Sequence, residues 1–309
     1  MTTSPSRRAF LTGRRPAQSP WRQFCGRLRR GISGELLDFG LYQGVGSARL
    51  TPADATDVRR ARALCAEYGV VLALDGLDRA GTPDGRSVLW VELGASLAGC
   101  QPLPGHEGRW FVQPGCLLGE LCQAGLTQFA DQPAYLTAAA WLADRSLCAW
   151  RPGETRHSGL LHAAVLLADG TTATLGPFGP DARLPLDSLA LQKLVPALFQ
   201  LASGPQAQAC RALARWPARY RLDALLPGEG QDVNLSHLLL GHGGDLAWAE
   251  WLVFEQRPPG PRPDSWEAAY SSRPAAGGGE ALRLAAGLDA GVKAAFDPGG
   301  VFPNPGQDL

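Results

Sequence analysis

The segment that most constrains the fold is "TPADATDVRRARALCAEYGVVLAL". Thr51-Pro52-Ala53-Asp54 supplies a hydroxyl cap, a proline at the first helical position and an acid in the first turn. The helix it opens is expected to run to Tyr68 and stop at Gly69. The apolar run 70–74 that follows at once reads as a buried strand. Helix and buried strand in direct succession exclude an all-α or all-β chain.

The rest of the chain repeats the mixture without regular alternation. Residues 87–93 read as a strand, and 110–115 as a short strand turning at Pro114-Gly115. Residues 117–125 read as a helix ending on glycine. The alanine-rich stretch 137–149 fits either a helix or a tight, close-packed loop. Residues 161–176 form a hairpin, with Asp169-Gly170 supplying a type I′ turn. Segments 186–202 and 206–216 have helical character, and 246–256 is a long strand. A Pro-rich linker (257–263) and a flexible loop (271–279) precede an amphipathic helix, 280–296, stopped by Pro298-Gly299. The fold class is therefore α+β.

Composition excludes several function classes. No run approaches the roughly 18 uninterrupted apolar residues of a membrane span. A pI of about 7.0 does not suit a body that binds nucleic acid. The seven cysteines are scattered and none forms a C-x-x-C pair, which speaks against a structural metal site. They read as small buried residues in a reducing compartment. The formal net charge of zero is an average of two unlike parts. Residues 1–34 carry eight arginines and no acid, whereas the remainder is net −8.

Within that arm, "SRRAFLT" (6–12) resembles a twin-arginine export signature, but its continuation is too polar and basic for a signal. A cytoplasmic protein is the expectation. Trp21, Phe24, Cys25, Leu28 and Ile32 fall on one face of a helix, and Ser19-Pro20 provides its start. Such a basic amphipathic helix over 19–32 suits three surfaces: an anionic inner-membrane face, a partner, or the protein's own body.

Five segments, in order, resemble the FAD-linked oxidases with a p-cresol-methylhydroxylase-type (vanillyl-alcohol-oxidase-like) flavin domain. They are the opening helix and strand quoted above, "WFVQPGCLLGELCQAGL", "HSGLLHAAVLLADGTTATLG", "YRLDALL" through "LSHLLLGHGGDLAWAEWLVFEQRPP", and the tail "LDAGVKAAFDPGGVFPNPG". The resemblance implies two α/β subdomains with FAD between them. It divides the chain into the arm (1–34), the flavin domain (35–256), a linker (257–279) and a helix and tail (280–309) that complete the domain. The stretch between Gln256 and the tail is too short for the family's substrate cap, which is essentially missing. That pattern looks most like the small FAD-binding subunit of a glycolate-oxidase-type complex. Its partners would be a larger flavin subunit and an iron–sulfur subunit, its substrate a small 2-hydroxy acid. No nucleic acid or metal is implied.

Carried over position by position, the resemblance puts the cofactor at Leu74, Asp75, Gly76 and Leu77, at Pro114 and Gly115, and at Ala139 and Ala140. Asp144, Arg145, Gly244 and Asn304 complete the set. The chain departs from the family where pyrophosphate loops need glycine. The first loop reads Asp75-Gly76-Leu77-Asp78-Arg79, the usual Gly-Gly pair is Ala139-Ala140, and a later glycine falls near Glu154. An alanine at a position needing positive φ costs about 1–2 kcal/mol, and carboxylates repel a pyrophosphate. Arg79, Arg145, Arg151 or Arg156 could offset that charge. No histidine occupies the covalent-flavin position, so FAD would be held noncovalently. His242 in "LGHGGDL" is the one catalytic candidate, against a loop histidine without chemistry; His157 and His162 read as packing or surface residues. Two functions follow: an FAD-binding oxidoreductase subunit, or a degenerate flavin domain kept as a scaffold or regulatory partner.

Overall fold

The structure is a computed structural model. It describes residues 19–77, 85–148, 150–179, 186, 188–213, 215–226, 232–258 and 278–304. The chain is α+β, arranged as two lobes, each with its own sheet. The export-like motif, Asp78, Arg79, most of the linker and residues 271–277 of the expected loop lie outside the described residues, whereas 278 and 279 belong to the last helix.

The first lobe contains helix α1 (Pro20–Gly31), strands β1 (Glu35–Tyr42) and β2 (Val45–Thr51), helix α2 (Ala55–Tyr68), and strands β3 (Val71–Leu74) and β4 (Val88–Val91). Its sheet runs β1-β2-β4-β3, antiparallel between β1 and β2 and parallel elsewhere. β3 is buried at all four positions, as its apolar run requires. α2 ends as expected, on a left-handed Gly69 at φ 66°. Its start differs from expectation. Asp54, not Thr51, is the cap and accepts from the amides of Thr56 and Asp57, while Thr51 ends β2.

The hairpin β1–β2 carries no expectation from the sequence. Its two-residue loop is Gln43-Gly44, with φ of 50° and 85°, the two positive values a type I′ turn requires. The hairpin expected to use that turn does not. Between β7 (Leu160–Leu166) and β8 (Thr172–Leu175), Leu167 donates to Thr171 across a three-residue loop in which only Gly170 is left-handed.

Residues 19–31 do not form a separate arm. α1 buries Trp21, Phe24, Cys25 and Leu28 in the core shared with α2 and the first sheet. Trp21 Nε1 donates to Asp38 on β1, and Gly46 leaves room for its ring: a Cβ there would lie 2.2 Å from the indole. Asp57, fully buried, accepts from the amides of Ser33, Gly34 and Ala53 and so ties the exit of α1 to α2. Of the three surfaces open to this amphipathic face, the chain's own body takes it.

The second lobe is built on a five-stranded antiparallel sheet, β5 (Cys100–Pro102), β6 (Arg109–Val112), β11 (Trp248–Glu255), β7 and β8, with β11 central. A small β9 (Pro177–Phe178)–β10 (Val233–Asn234) pair lies beside it. Its helices are α3 (Leu118–Gln123), α4 (Ala138–Ala143), α5 (Leu189–Ser203), α6 (Pro205–Arg211) and α7 (Gly278–Phe296). The alanine-rich stretch is thus a short helix followed by a turn, and α6 stops well before residue 216. Phe129, Trp141 and Phe254 meet edge-to-face at 5.0–5.7 Å in the core.

If α1 is part of this core, Leu28→Ala costs about 2–5 kcal/mol in urea unfolding, as a buried leucine should. A helix merely resting on a membrane or partner would leave the unfolding midpoint unchanged.

Candidate functional site

The two lobes meet along a seam where β3 ends against α4 and the turn before β11. Here Leu74, Ala139, His242 and Gly244, four of the residues expected from sequence, line one cavity. Leu72, Trp248 and Phe302 line it with them. Its volume is about 20 Å³, room for one water molecule. Trp248 and Phe302 carried no functional expectation, although an aromatic side chain among small neighbours in "LAWAEW" marks a tight interface.

α4 is held by neighbouring backbone rather than left open to a ligand. The amides of Ala138 and Ala139 donate to Cys116 and Pro114 carbonyls at 2.8 and 2.9 Å. Those of Ala140 and Trp141 donate to the Thr137 hydroxyl and carbonyl. At its far end, Gly241 and Gly243 donate to the carbonyls of Leu142 and Ala143. Gly241, Gly243 and Gly244 all have positive φ, so this glycine turn caps a helix. Neither Ala139 nor Ala140 has positive φ, and their methyl groups pack in the core without the backbone strain expected from the sequence.

The other expected residues are placed elsewhere. Asp75 and Gly76 turn the chain after β3; the Asp75 carboxylate accepts from Gly76 and lies 3.8 Å from Arg49. Leu77 packs at the edge of the first-lobe core. Gly115 fits because a Cβ would lie 2.8 Å from the Leu97 carbonyl. Asp144 caps its own turn by accepting from the amide and hydroxyl of Ser146. Arg145 donates to the Pro217 carbonyl. Asn304 is exposed. Asp144, Arg145 and Asn304 do not line the cavity. Arg151 and Arg156 are exposed, and His157 and His162 are half-buried.

Among the described residues the seam does not fit a flavin dinucleotide. Apart from His242 its walls are apolar, the four amides that open α4 already have acceptors, and the space is that of one water. No group of three His, Cys, Asp or Glu among these residues could hold a metal ion. All seven cysteines are free; burial pushes the Cys25 thiol up to about 12, away from reactivity. No described helix is long and apolar enough to cross a membrane.

A polar site off the seam was invisible to sequence reasoning. His237 is buried, its Nε2 donating to the Leu160 carbonyl at 2.9 Å and its Nδ1 facing the Thr155 hydroxyl at 3.0 Å. A carbonyl can only accept, so Nε2 carries a proton. Burial pushes its pKa down from 6.5 to about 4.

No family model and no curated protein sequence matches the chain. Solved structures with a related layout include the 4-ethylphenol oxidase of Gulosibacter chungangensis in its isoeugenol complex. That match has 12% identity and a TM-score of 0.46, over 80% of this chain and 44% of that one. An alkyldihydroxyacetonephosphate synthase matches at 15% identity and 0.44, over 79% and 42%. A substrate-bound p-cresol methylhydroxylase matches at 11% and 0.44, over 79% and 45%. The chain thus spans less than half the length of these structures. Likeness at this level carries no conclusion about chemistry.

Two measurements check the site. Because α4 is an ordinary helix, Ala139→Gly with Ala140→Gly lowers stability by about 1–2 kcal/mol rather than relieving strain. For His237, the unfolded chain binds a proton near pH 6.5 that the folded chain refuses until about pH 4. Its contribution is complete above 6.5 and is lost on acidification, at up to about 1.4 kcal/mol per pH unit. Ring NMR signals of His237 that titrate above pH 6 would contradict the assignment.

Proposed function

We propose that the chain is a subunit of an oxidoreductase complex acting on a small 2-hydroxy acid. It is built on the frame of a p-cresol-methylhydroxylase-type flavin domain and works there as a non-catalytic scaffold or regulatory partner. The five ordered sequence segments support the frame, and their likeness to a glycolate-oxidase small subunit supports the complex. One observation carries the non-catalytic role: the seam, where such a domain would place FAD, is filled by Leu74, Ala139, Trp248 and Phe302 around about 20 Å³. In this reading the redox chemistry belongs to a larger flavin subunit and an iron–sulfur subunit.

A second reading has one specific observation in its favour. Leu74, Ala139, His242 and Gly244 come from three separate parts of the chain, yet they do meet at one point. Residues 78–84, which would complete the first loop, lie outside the described residues. On that reading the chain holds FAD noncovalently, and the flavin would supply a two-electron acceptor.

Visible absorption separates the two. The purified chain is expected to be colourless, and to remain so after incubation with FAD and gel filtration. A flavin spectrum released from the protein by denaturation would establish the second reading instead. Co-elution with a larger flavoprotein, whose spectrum belongs to that partner, is expected under the complex proposal; a chain that elutes alone from its native extract would remove it.

A further inference from the structure

Beyond the other end of β3 the seam opens into a cavity of about 650 Å³, with Arg62, Arg86 and Lys193 in its wall. Arg62 and Arg86 act there as braces, donating to the Ala168 and Gly300 carbonyls at 2.7 Å. Groups that can react meet elsewhere, at the β5 edge of the second sheet.

β5 begins at Cys100 and pairs with β6, which runs on through Gln113 into the Pro114-Gly115 turn and Cys116. Two backbone bonds hold that turn against the approach to β5. Gln113 donates to the Gly99 carbonyl at 2.8 Å, and Gly115 to the Leu97 carbonyl at 2.7 Å. On its other side the Cys116 carbonyl accepts from the Ala138 amide at 2.8 Å and so anchors the start of α4. The two segments are clamped around one point, and there the Cys100 and Cys116 thiols hydrogen-bond to each other.

The pair is asymmetric. Cys100 is half-buried at the sheet edge, whereas Cys116 belongs to the second-lobe core. The Cys116 thiol donates to the Cys100 sulfur and holds its pKa below the ordinary cysteine value. That bond, and then burial, push the Cys116 thiol up. Cys116 Sγ also lies 3.5 Å from Glu120 Oε2 on the first turn of α3, and the Leu117 amide fixes that carboxylate at 3.2 Å. Cys25, Cys65, Cys148 and Cys210 are unlike this pair, since burial raises each of them. A part-exposed sulfur favoured as thiolate, with a second thiol in contact, has the layout of a redox-responsive pair.

We propose that Cys100 and Cys116 are a redox-active dithiol, closed to a disulfide by exchange with the disulfide of a low-molecular-weight thiol. The Cys100 thiolate attacks one sulfur of the small disulfide; a mixed disulfide forms and one small thiol leaves with the Cys100 proton. Cys116 gives its proton to Glu120 and attacks the Cys100 sulfur. The Cys100–Cys116 bond forms, the mixed disulfide breaks, and the second small thiol leaves with the proton that Glu120 held. Two electrons pass from the protein pair to the small disulfide, and excess small thiol reverses the exchange. Closure brings the sulfurs from contact to about 2 Å. β5, three residues long and paired on one side only, takes up the shift.

Trypsin cuts after Arg86, Arg109 and Arg145, which leaves Cys100 and Cys116 on separate peptides, 87–109 and 110–145. The reduced full chain is equilibrated with glutathione buffers of increasing oxidation, quenched in acid, alkylated and read by mass spectrometry. The expected product is the two peptides joined, in a chain lighter by two hydrogens that dithiothreitol restores. Cys25, Cys65, Cys148 and Cys210 are expected to stay reduced. Cys122 shares the second peptide, so Cys122→Ser is included and should keep the link. Cys116→Ser should stop at glutathione on Cys100. Glu120→Gln keeps an acceptor for Leu117 but not the base, and is expected to slow closure of the mixed disulfide about tenfold without slowing its formation. A wild-type chain that stays reduced in fully oxidised glutathione, a link through Cys122, or equal oxidation of the four buried cysteines would overturn the proposal. Unchanged closure in Glu120→Gln would overturn the proton route. The wild-type link needs no variant to fold, and no readout depends on flavin or on a partner subunit.

Discussion

A single buried ammonium organises the junction on which the two-lobed arrangement depends. Lys293 on α7 donates to the Asp297 carboxylate and the Asp245 carbonyl at 2.6 Å, and to the Phe302 carbonyl at 3.3 Å. Asp297 in turn accepts from the amides of Val301 and Phe302, which folds the tail back over the helix end. The Asp245 side chain pairs with Arg219, and Asp289, one turn before Lys293 on α7, accepts from the amides of Arg219 and Tyr220. Burial pulls the Lys293 pKa down, and the carboxylates around it resist that pull. Removing one partner from such a group leaves a buried charge uncompensated, a loss of about 3–5 kcal/mol. From this junction the tail reaches the first lobe, where Leu72 donates to the Val301 carbonyl at 2.8 Å.

The tail therefore sets what the seam can be. Phe302, held by Asp297 and Lys293, occupies the end where β3, α4 and the glycine turn converge. Val301, one residue away, forms part of the wall of the open end. The glycine turn that includes the cofactor candidate Gly244 has a structural task, since Gly241 and Gly243 satisfy the last carbonyls of α4. A glycine count says nothing about which of these tasks a given glycine performs. The same residue type frees a backbone to approach a ligand or to close a helix, and the difference lies in contacts distant in sequence.

Features written in local patterns were legible. α2 with its glycine stop, the buried β3, the central β11 and the amphipathic α7 all follow from periodicity and terminators. So did the apolar face of α1, although the pattern left three surfaces open and only packing chose among them. The β1–β2 hairpin escaped because Leu37, Phe39 and Leu41 alternate correctly but face outward, half-exposed on an edge strand. The turn at Asp169-Gly170 was read as the two-residue type, yet the bond from Leu167 to Thr171 encloses three residues, one more than that type holds. At the seam, the convergence of Leu74, Ala139, His242 and Gly244 was anticipated. Its filling was not, because the residues that fill it lie on β11 and in the tail. That Arg62, Arg86 and Lys193 line one cavity could not be read, because they come from α2, the turn before β4 and α5.

The bond from Leu72 to Val301 also has a meaning in time. β3 is the last strand of the first sheet, with β4 on one side and the tail on the other. Protein synthesis delivers the tail only after the whole second lobe has been made. Until then, four consecutive apolar residues stand at an open sheet edge, the kind of surface that recruits stray strands. A growing chain must keep that edge out of trouble throughout its own production, so vectorial synthesis, rather than final stability, places the heaviest demand on this part of the molecule.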